Sequence, residues 1–176
     1  MGRSTSQGQA LEAANDDRLA ALFCKRYQPM VRLAAWLTRD SSTAEDIVQE
    51  AFARIQASPV NLATVESEAA YLRTTVINLT RTRQKRLALA RTRQPEAQLT
   101  TPAAEEYLVD EELVAAIGAL PSRQRECVVL RFGEDLTVDQ IAEALGIGSG
   151  SVKTHLHRGL RALEQKLDQE AEREDR

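Results

Sequence analysis

The side chains from 153 to 161 pose the first chemical question. At about 100° per residue, Lys153, Thr154, His157, Arg158 and Arg161 gather on one arc of a helix, and Val152, Leu156, Leu160 and Leu163 on the other. A cationic, hydroxyl-bearing helix face suits phosphates and the base edges of a DNA major groove. The same pattern would also serve one helix of an ordinary bundle, so the preceding segment decides between them. There Thr137 can cap a short helix with Val138, Ile141, Ala142 and Leu145 inward, and Gly146-Ile147-Gly148 supplies a turn before Ser149 or Ser151 opens the next helix. Short helix, glycine turn and second helix make the helix-turn-helix pattern. Arg158 can contact a guanine or a phosphate in bidentate fashion and Lys153 suits a phosphate, and the sequence leaves their roles open. His155 and His157 point about 200° apart and cannot share a metal; His155 flanks the apolar arc and His157 faces outward.

A second basic run lies upstream. Residues 71–93 carry seven basic side chains and no acid, residues 94–145 eleven acids against three arginines, and residues 146–163 three basic side chains and no acid. The formal net charge of −3 conceals this segregation. Two basic islands in an acidic chain fit two polyanion contacts, although solvated helix faces would give the same runs. In the first island Leu72, Val76 and Leu79 fall inward and Arg73, Arg81, Arg83, Lys85 and Arg86 outward. A third pattern precedes it: Ala44, Ile47, Val48, Ala51, Phe52 and Ile55 form a continuous stripe with Asp46, Gln49 and Glu50 on the other side.

These side chains require an all-α scaffold. With 8 Gly and 5 Pro among 176 residues, and Ala, Leu, Arg, Glu and Gln abundant, the composition favours helices. The spacing predicts a helix over 17–38 with Leu19, Leu22, Phe23, Met30, Leu33, Ala34 and Leu37 inward, and one over 43–56 capped by Ser41, Ser42 or Thr43. A loop at 57–67 contains Pro59, and a long helix should run from 68 to 89. Periodicity then fails, with Pro95 and Pro102 marking a flexible linker over 90–104. A helix broken at Gly118 and Pro121 follows, then one with Val128, Val129 and Leu130 inward, and then the helix-turn-helix. The expectation is two small helical domains, 17–89 and 105–167, between a disordered extension at 1–16 and an acidic tail at 168–176. Cys24 and Cys127 fall in apolar registers and are expected in the core. Two Cys and two His cannot build a closed zinc site, and no Gly-rich phosphate loop or nucleophile elbow is present. Neither catalysis nor a cofactor or metal is expected. Without about 20 consecutive apolar residues or a secretory signal, the expected location is cytoplasmic, with no membrane insertion.

The motifs carry a family resemblance. LPSRQRECVVLRFGEDLTVDQIAEALGIGSGSVKTHLHRGLRAL (120–163) closely resembles region 4 of bacterial RNA polymerase sigma factors of the extracytoplasmic-function (ECF) group, AEDIVQEAFARI (44–55) resembles region 2.2, and AYLRTTVINLTRTRQKR (70–86) resembles regions 2.3–2.4. The form with Tyr71 and Leu72 before the basic helix looks like groups common in actinobacteria. The resemblance implies a transcription initiation factor that binds core RNA polymerase at the β′ clamp and β flap. It places Asp46, Gln49, Glu50 and Phe52 at the clamp, and Arg73, Asn78, Arg81, Arg83 and Arg86 at the minus-ten element. Ser151, Lys153, Thr154, His155, His157, Arg158 and Arg161 then meet the minus-thirty-five element. It further implies base capture by the loop 57–67 during strand opening, a linker directed toward the active-site channel, and an anti-sigma factor as a common partner. Thr82 stands where many members have Asp and His155 where many have Arg. Residues 137–163 also resemble the helix-turn-helix of LuxR/NarL-type regulators, but the N-terminal half has no alternating βα pattern of a receiver domain.

Overall fold

The computed structural model describes residues 3–57, 65–93 and 111–174, with side chains over 17–57, 67–89 and 113–169. The described residues form seven helices: α1 (Arg3–Thr38), α2 (Ser41–Gln56), α3 (Val65–Arg93), α4 (Glu111–Ala119), α5 (Ser122–Phe132), α6 (Val138–Leu145) and α7 (Ser149–Glu174). The loop expected at 57–67 falls largely outside the described residues, as does most of the linker, since α3 continues to Arg93.

α1 to α3 form an N-terminal unit. α2 is held at its start by Asp40, not by the serines that follow it: the Asp40 carboxylate accepts the Thr43 amide at 3.2 Å and the Thr43 hydroxyl at 2.9 Å. One acid thereby satisfies two donors at the helix N-terminus. Leu33, Ala34 and Leu37 of α1, Ala44, Val48 and Ala51 of α2, and Leu72, Val76 and Ile77 of α3 are fully buried and make the centre of this unit. Thr80 is buried within α3 because its hydroxyl donates to the Val76 carbonyl at 2.9 Å.

α4 to α7 form the C-terminal unit around Cys127, Leu130, Ile141 and Val152. α5 and α7 approach closely: a Cβ added at Gly159 would lie 2.9 Å from Val128 Cγ2. The two units are also packed together, α1 against α4 and α5, and α3 against α6, so their apolar residues form one cluster. Here the Gly118 carbonyl accepts Arg125 Nη1 at 2.9 Å and, across the junction, Arg39 Nη1 at 3.5 Å. Burial, then the charge of Arg39, lowers the proton affinity of Arg125.

Four expectations need correction. α1 begins at Arg3, not at 17: residues 9–14 are good helix formers but carry no apolar stripe that would mark a helix. Cys24 is exposed, since it lies about 200° around the helix from buried Leu22. Phe23 is 43% exposed, a large ring at the edge of the α1 stripe. Leu160 is equally exposed at 43%, since the arc of α7 that meets α5 is centred on Val152, Gly159 and Leu163, with Leu160 about 80° from Val152.

The α5–α7 approach yields a stability prediction. Gly159→Leu should destabilise the protein by about 1–3 kcal/mol, because buried Val128 must shift to admit the new side chain. Gln165→Ala, at an exposed site on the same helix, should stay within about 0.5 kcal/mol. Urea unfolding followed by circular dichroism compares the two, and equal midpoints would contradict the packing.

Candidate nucleic-acid interface

The helix-turn-helix is fixed by local hydrogen bonds at each corner. Thr137 and Gln140 form a reciprocal capping box, with Gln140 N donating to Thr137 Oγ1 at 3.3 Å and Thr137 N to Gln140 Oε1 at 2.9 Å. α6 ends at Gly146, whose φ of 64° is the left-handed conformation that glycine adopts without a Cβ clash. The Gly146 amide bonds to the Glu143 carbonyl at 3.2 Å and the Ile147 amide to the Ala142 carbonyl at 3.0 Å, the Schellman arrangement. Ser149 Oγ then donates to Asp139 Oδ1 at 2.7 Å and ties the first turn of α7 to α6. These bonds set the angle at which α7 presents its outer face.

On that face Ser151, Lys153, Thr154, His157, Arg158 and Arg161 are all exposed. The Thr154 hydroxyl donates to the Gly150 carbonyl at 3.0 Å, which leaves it to act outward as an acceptor. His155 is half-buried and its Nδ1 is covered without a hydrogen-bond partner, so packing orients the ring. His157, Leu160, Arg161 and Glu164 line a shallow depression along the helix.

α3 divides its basic residues between two environments. Asn78, Arg83, Lys85 and Arg86 are exposed, and Thr82 keeps its hydroxyl on the Asn78 carbonyl at 2.9 Å. Arg73 and Arg81, expected outward with them, instead turn toward the C-terminal unit. Arg81 Nε and Nη2 meet Glu126 Oε1 and Oε2 at 2.8 and 2.9 Å, and Arg73 Nε lies 3.4 Å from Glu134 Oε2. Glu126 also accepts Arg123 Nη1 at 3.1 Å.

α2 presents Asp46, Gln49 and Glu50 to solvent above a buried stripe. Glu50 is bonded to Arg54 at 2.6 Å, an exposed pair one turn apart that restrains the carboxylate but adds little stability. Phe52 lies in the core, with its ring 5.0 Å from Phe23, which itself stacks on Tyr27 at 4.6 Å. Phe23 is therefore the exposed aromatic edge of this face, a role the sequence reading missed. The signal was the aromatic pair at 23 and 27, one turn apart with a third ring on the neighbouring helix.

Residues 23–89 match the family model for sigma-70 region 2, and residues 110–163 that for sigma-70 region 4. The RNA polymerase sigma-E factor of Streptomyces antibioticus is 33% identical over 167 residues, covering 93% of this chain and 88% of that protein. The chain belongs to the ECF-type RNA polymerase sigma factors. The ECF sigma factor SigL of Mycobacterium tuberculosis is 29% identical, covering 92% of this chain and 91% of its own. In fold, the sigma factor resembles Bartonella quintana RpoE, solved with the anti-sigma factor NepR, at a TM-score of 0.66 and 18% identity over 88% of this chain and 97% of that one. As a sigma factor it directs RNA polymerase to promoters through regions 2 and 4, α1–α3 and α4–α7 here, and its family is non-catalytic. Among the described residues no group of three or more His, Cys, Asp or Glu could hold a metal ion, and no helix is long and apolar enough to cross a membrane.

The junction between regions 2 and 4 carries a pH signature. Burial pushes the Glu134 carboxyl above the ordinary carboxylate range, against the pull of Arg73, Arg26 and Arg32. An acid raised in the folded state contributes stability that is fully present below its ordinary value and lost as pH rises through the raised one. Glu134→Gln stays neutral, so its melting temperature should gain on that of the parent chain as pH rises from about 4 to 7. Thermal unfolding across that range measures the difference; a parent advantage that grew with pH would reverse the sign.

Proposed function

We propose that this sigma factor engages core polymerase through α2, reads the minus-thirty-five element through α7 and binds and opens the minus-ten element through α3. The observation that carries the reading is that three polar faces stand exposed on helices whose opposite sides are buried. The carboxylate-amide row Asp46, Gln49 and Glu50 suits arginines of the β′ clamp coiled coil, with Phe23 as the apolar edge in place of buried Phe52. Region 4 would lie against the β flap. On α3, Asn78, Arg83 and Arg86 are available to opened DNA. Arg73 and Arg81 join them only when their carboxylate partners leave. On α7, Ser151, Lys153, Thr154, His157, Arg158 and Arg161 face the groove, and His155 acts mainly by shaping the helix surface. The location is the cytoplasm, where the polymerase works. An anti-sigma factor is a further partner in this reading; the sigma factor RpoE of Bartonella quintana was solved in complex with one, NepR. Run-off transcription with core polymerase on genomic fragments, followed by start-site mapping, tests the whole reading. Absence of any sigma-dependent start would reject it.

Core binding makes a sharper prediction. Asp46→Arg should weaken the affinity for core polymerase at least tenfold, equivalent to about 1.4 kcal/mol, with the circular dichroism spectrum unchanged. Co-migration with core on gel filtration and a titration by fluorescence anisotropy would show it, and undiminished affinity would remove α2 from the interface.

The two DNA faces should separate by variant. Arg158→Ala should cost about 1–3 kcal/mol and relax preference at one upstream base pair if the guanidinium reads a base. Arg83→Ala with Arg86→Ala should leave upstream recognition intact, diminish permanganate reactivity near the start site, and lower the salt slope of binding by about 1.4 on single-stranded DNA. Equal damage to both steps by both changes would refute this division.

A further inference from the structure

The outer face of α7 is not shared equally by its side chains. At about 100° per residue, Gly150, Thr154, His157 and Arg161 fall in one row, opposite the buried row of Val152, Gly159 and Leu163. Lys153 and Arg158 flank the outer row on either side. A row aimed at the groove floor meets base edges, whereas its flanks meet the phosphates of the two strands. Within the row, Gly150 has no side chain, and a Cβ there would meet nothing within 4 Å. Thr154 already gives its proton to the Gly150 carbonyl at 3.0 Å. His157 and Arg161 are therefore the donors of the central row. His157 is exposed and borders the shallow depression that Leu160, Arg161 and Glu164 complete. The chain has two histidines, and the other, half-buried His155, lies about 160° away around the helix.

We infer that His157 is a base-reading residue of the minus-thirty-five face and reads as an imidazolium, taking up a proton from solvent as α7 enters the groove. The inference rests on reading α7 as that face, and adds which side chain reads and in which charge state. Imidazole is the side chain whose ordinary titration lies between about pH 5 and 8. Its neutral form carries one donor and one acceptor, its charged form two donors. Guanine presents only acceptors, N7 and O6, on its own major-groove edge, and DNA phosphates favour a positive charge placed among them. A complex that holds more protons than its free components tightens as pH falls. The charges around His157 are those of α7 itself: Lys153, Arg158 and Arg161 against Glu164, all exposed. Residues 113–119 of α4 have no titratable side chain. On α5, Arg123 and Glu126 bond to each other, Arg125 and Arg131 to backbone carbonyls, and Cys127 is buried. On α6, Asp139 holds Ser149 and Glu143 is exposed. The DNA is thus the main new charge that His157 meets on binding.

The test uses holoenzyme assembled from core polymerase and the full chain, with a fluorescein-labelled duplex library randomised at its centre. Anisotropy gives the affinity from about pH 6 to 8, and the bound pool is sequenced at both ends of that range. Lowering the pH should tighten binding by the parent about three- to fivefold more than binding by His157→Gln, and should enrich guanine at one position. The parent's salt slope should be steeper at the acid end by up to about 0.9, one phosphate charge neutralised. His157→Lys, charged throughout, should keep the tighter, guanine-preferring state at both ends. His155→Asn, whatever its affinity, should keep the parent's pH profile. A parent profile no steeper than that of His157→Gln overturns the inference, as does a profile flattened by His155→Asn. A steeper profile without guanine enrichment overturns base reading, since an imidazolium on a phosphate would give the same slope. Should Lys153→Ala with Arg158→Ala leave duplex binding as tight as in the parent, what fails instead is the assignment of α7 to duplex DNA.

Discussion

The burial of Glu126 constrains much of the arrangement around it. A carboxylate left only 5% exposed must be paired or its charge becomes very costly. Arg123 lies one turn away on the same helix, but the closer two-bond partner is Arg81, from the other region. That pair fixes how α3 is rotated against α5. Once Arg81 faces inward, the roughly 100° step per residue leaves Thr82, Arg83 and Arg86, about 100–200° away, to solvent. One ion pair thus decides which side of the basic helix is on display and which is withheld.

The helix-turn-helix depends on shorter-range terms. Its capping box, Schellman turn and the Ser149–Asp139 bond join residues at most ten apart in sequence. Such contacts form at small loop-closure cost, so the reading helix is oriented by its own neighbourhood, whether or not region 2 is docked. Region 4 can therefore detach without losing the geometry of its DNA face. The packing of α7 on α5 through Gly159 belongs to the same self-contained unit.

The same distinction explains what the sequence disclosed. The α2 stripe, the α6–α7 turn and the inward faces of α3 and α5 were legible because each repeats with the helical period within one segment. The Asp40 cap was displaced by one to three residues from the hydroxyls that looked suitable, because Asp satisfies two donors where a serine would satisfy one. Cys24 was misplaced because small residues fit either face, and only its angle from Leu22 distinguishes them. Phe52 was placed at the clamp by its motif, yet Phe23 and Tyr27 cover it. The inward turn of Arg73 and Arg81 was illegible altogether. Nothing local marks an arginine whose partner lies 45 or 61 residues away.

The charge segregation nevertheless contained a trace of it. An acid-rich block of eleven carboxylates directly follows a basic run of seven, and two of those acids close on two of those bases. For a chain that must meet DNA only when assembled with a larger partner, this order has a physical consequence. The bases attract any polyanion, while acids tethered to the same chain compete for them at a concentration set by the tether rather than by the cell. The basic residues of 146–163 are likewise followed by acids from Glu164 on, yet Lys153, Arg158 and Arg161 stay exposed. The asymmetry between the two DNA faces therefore arises in folding, which brings Glu126 and Glu134 onto Arg81 and Arg73 of α3.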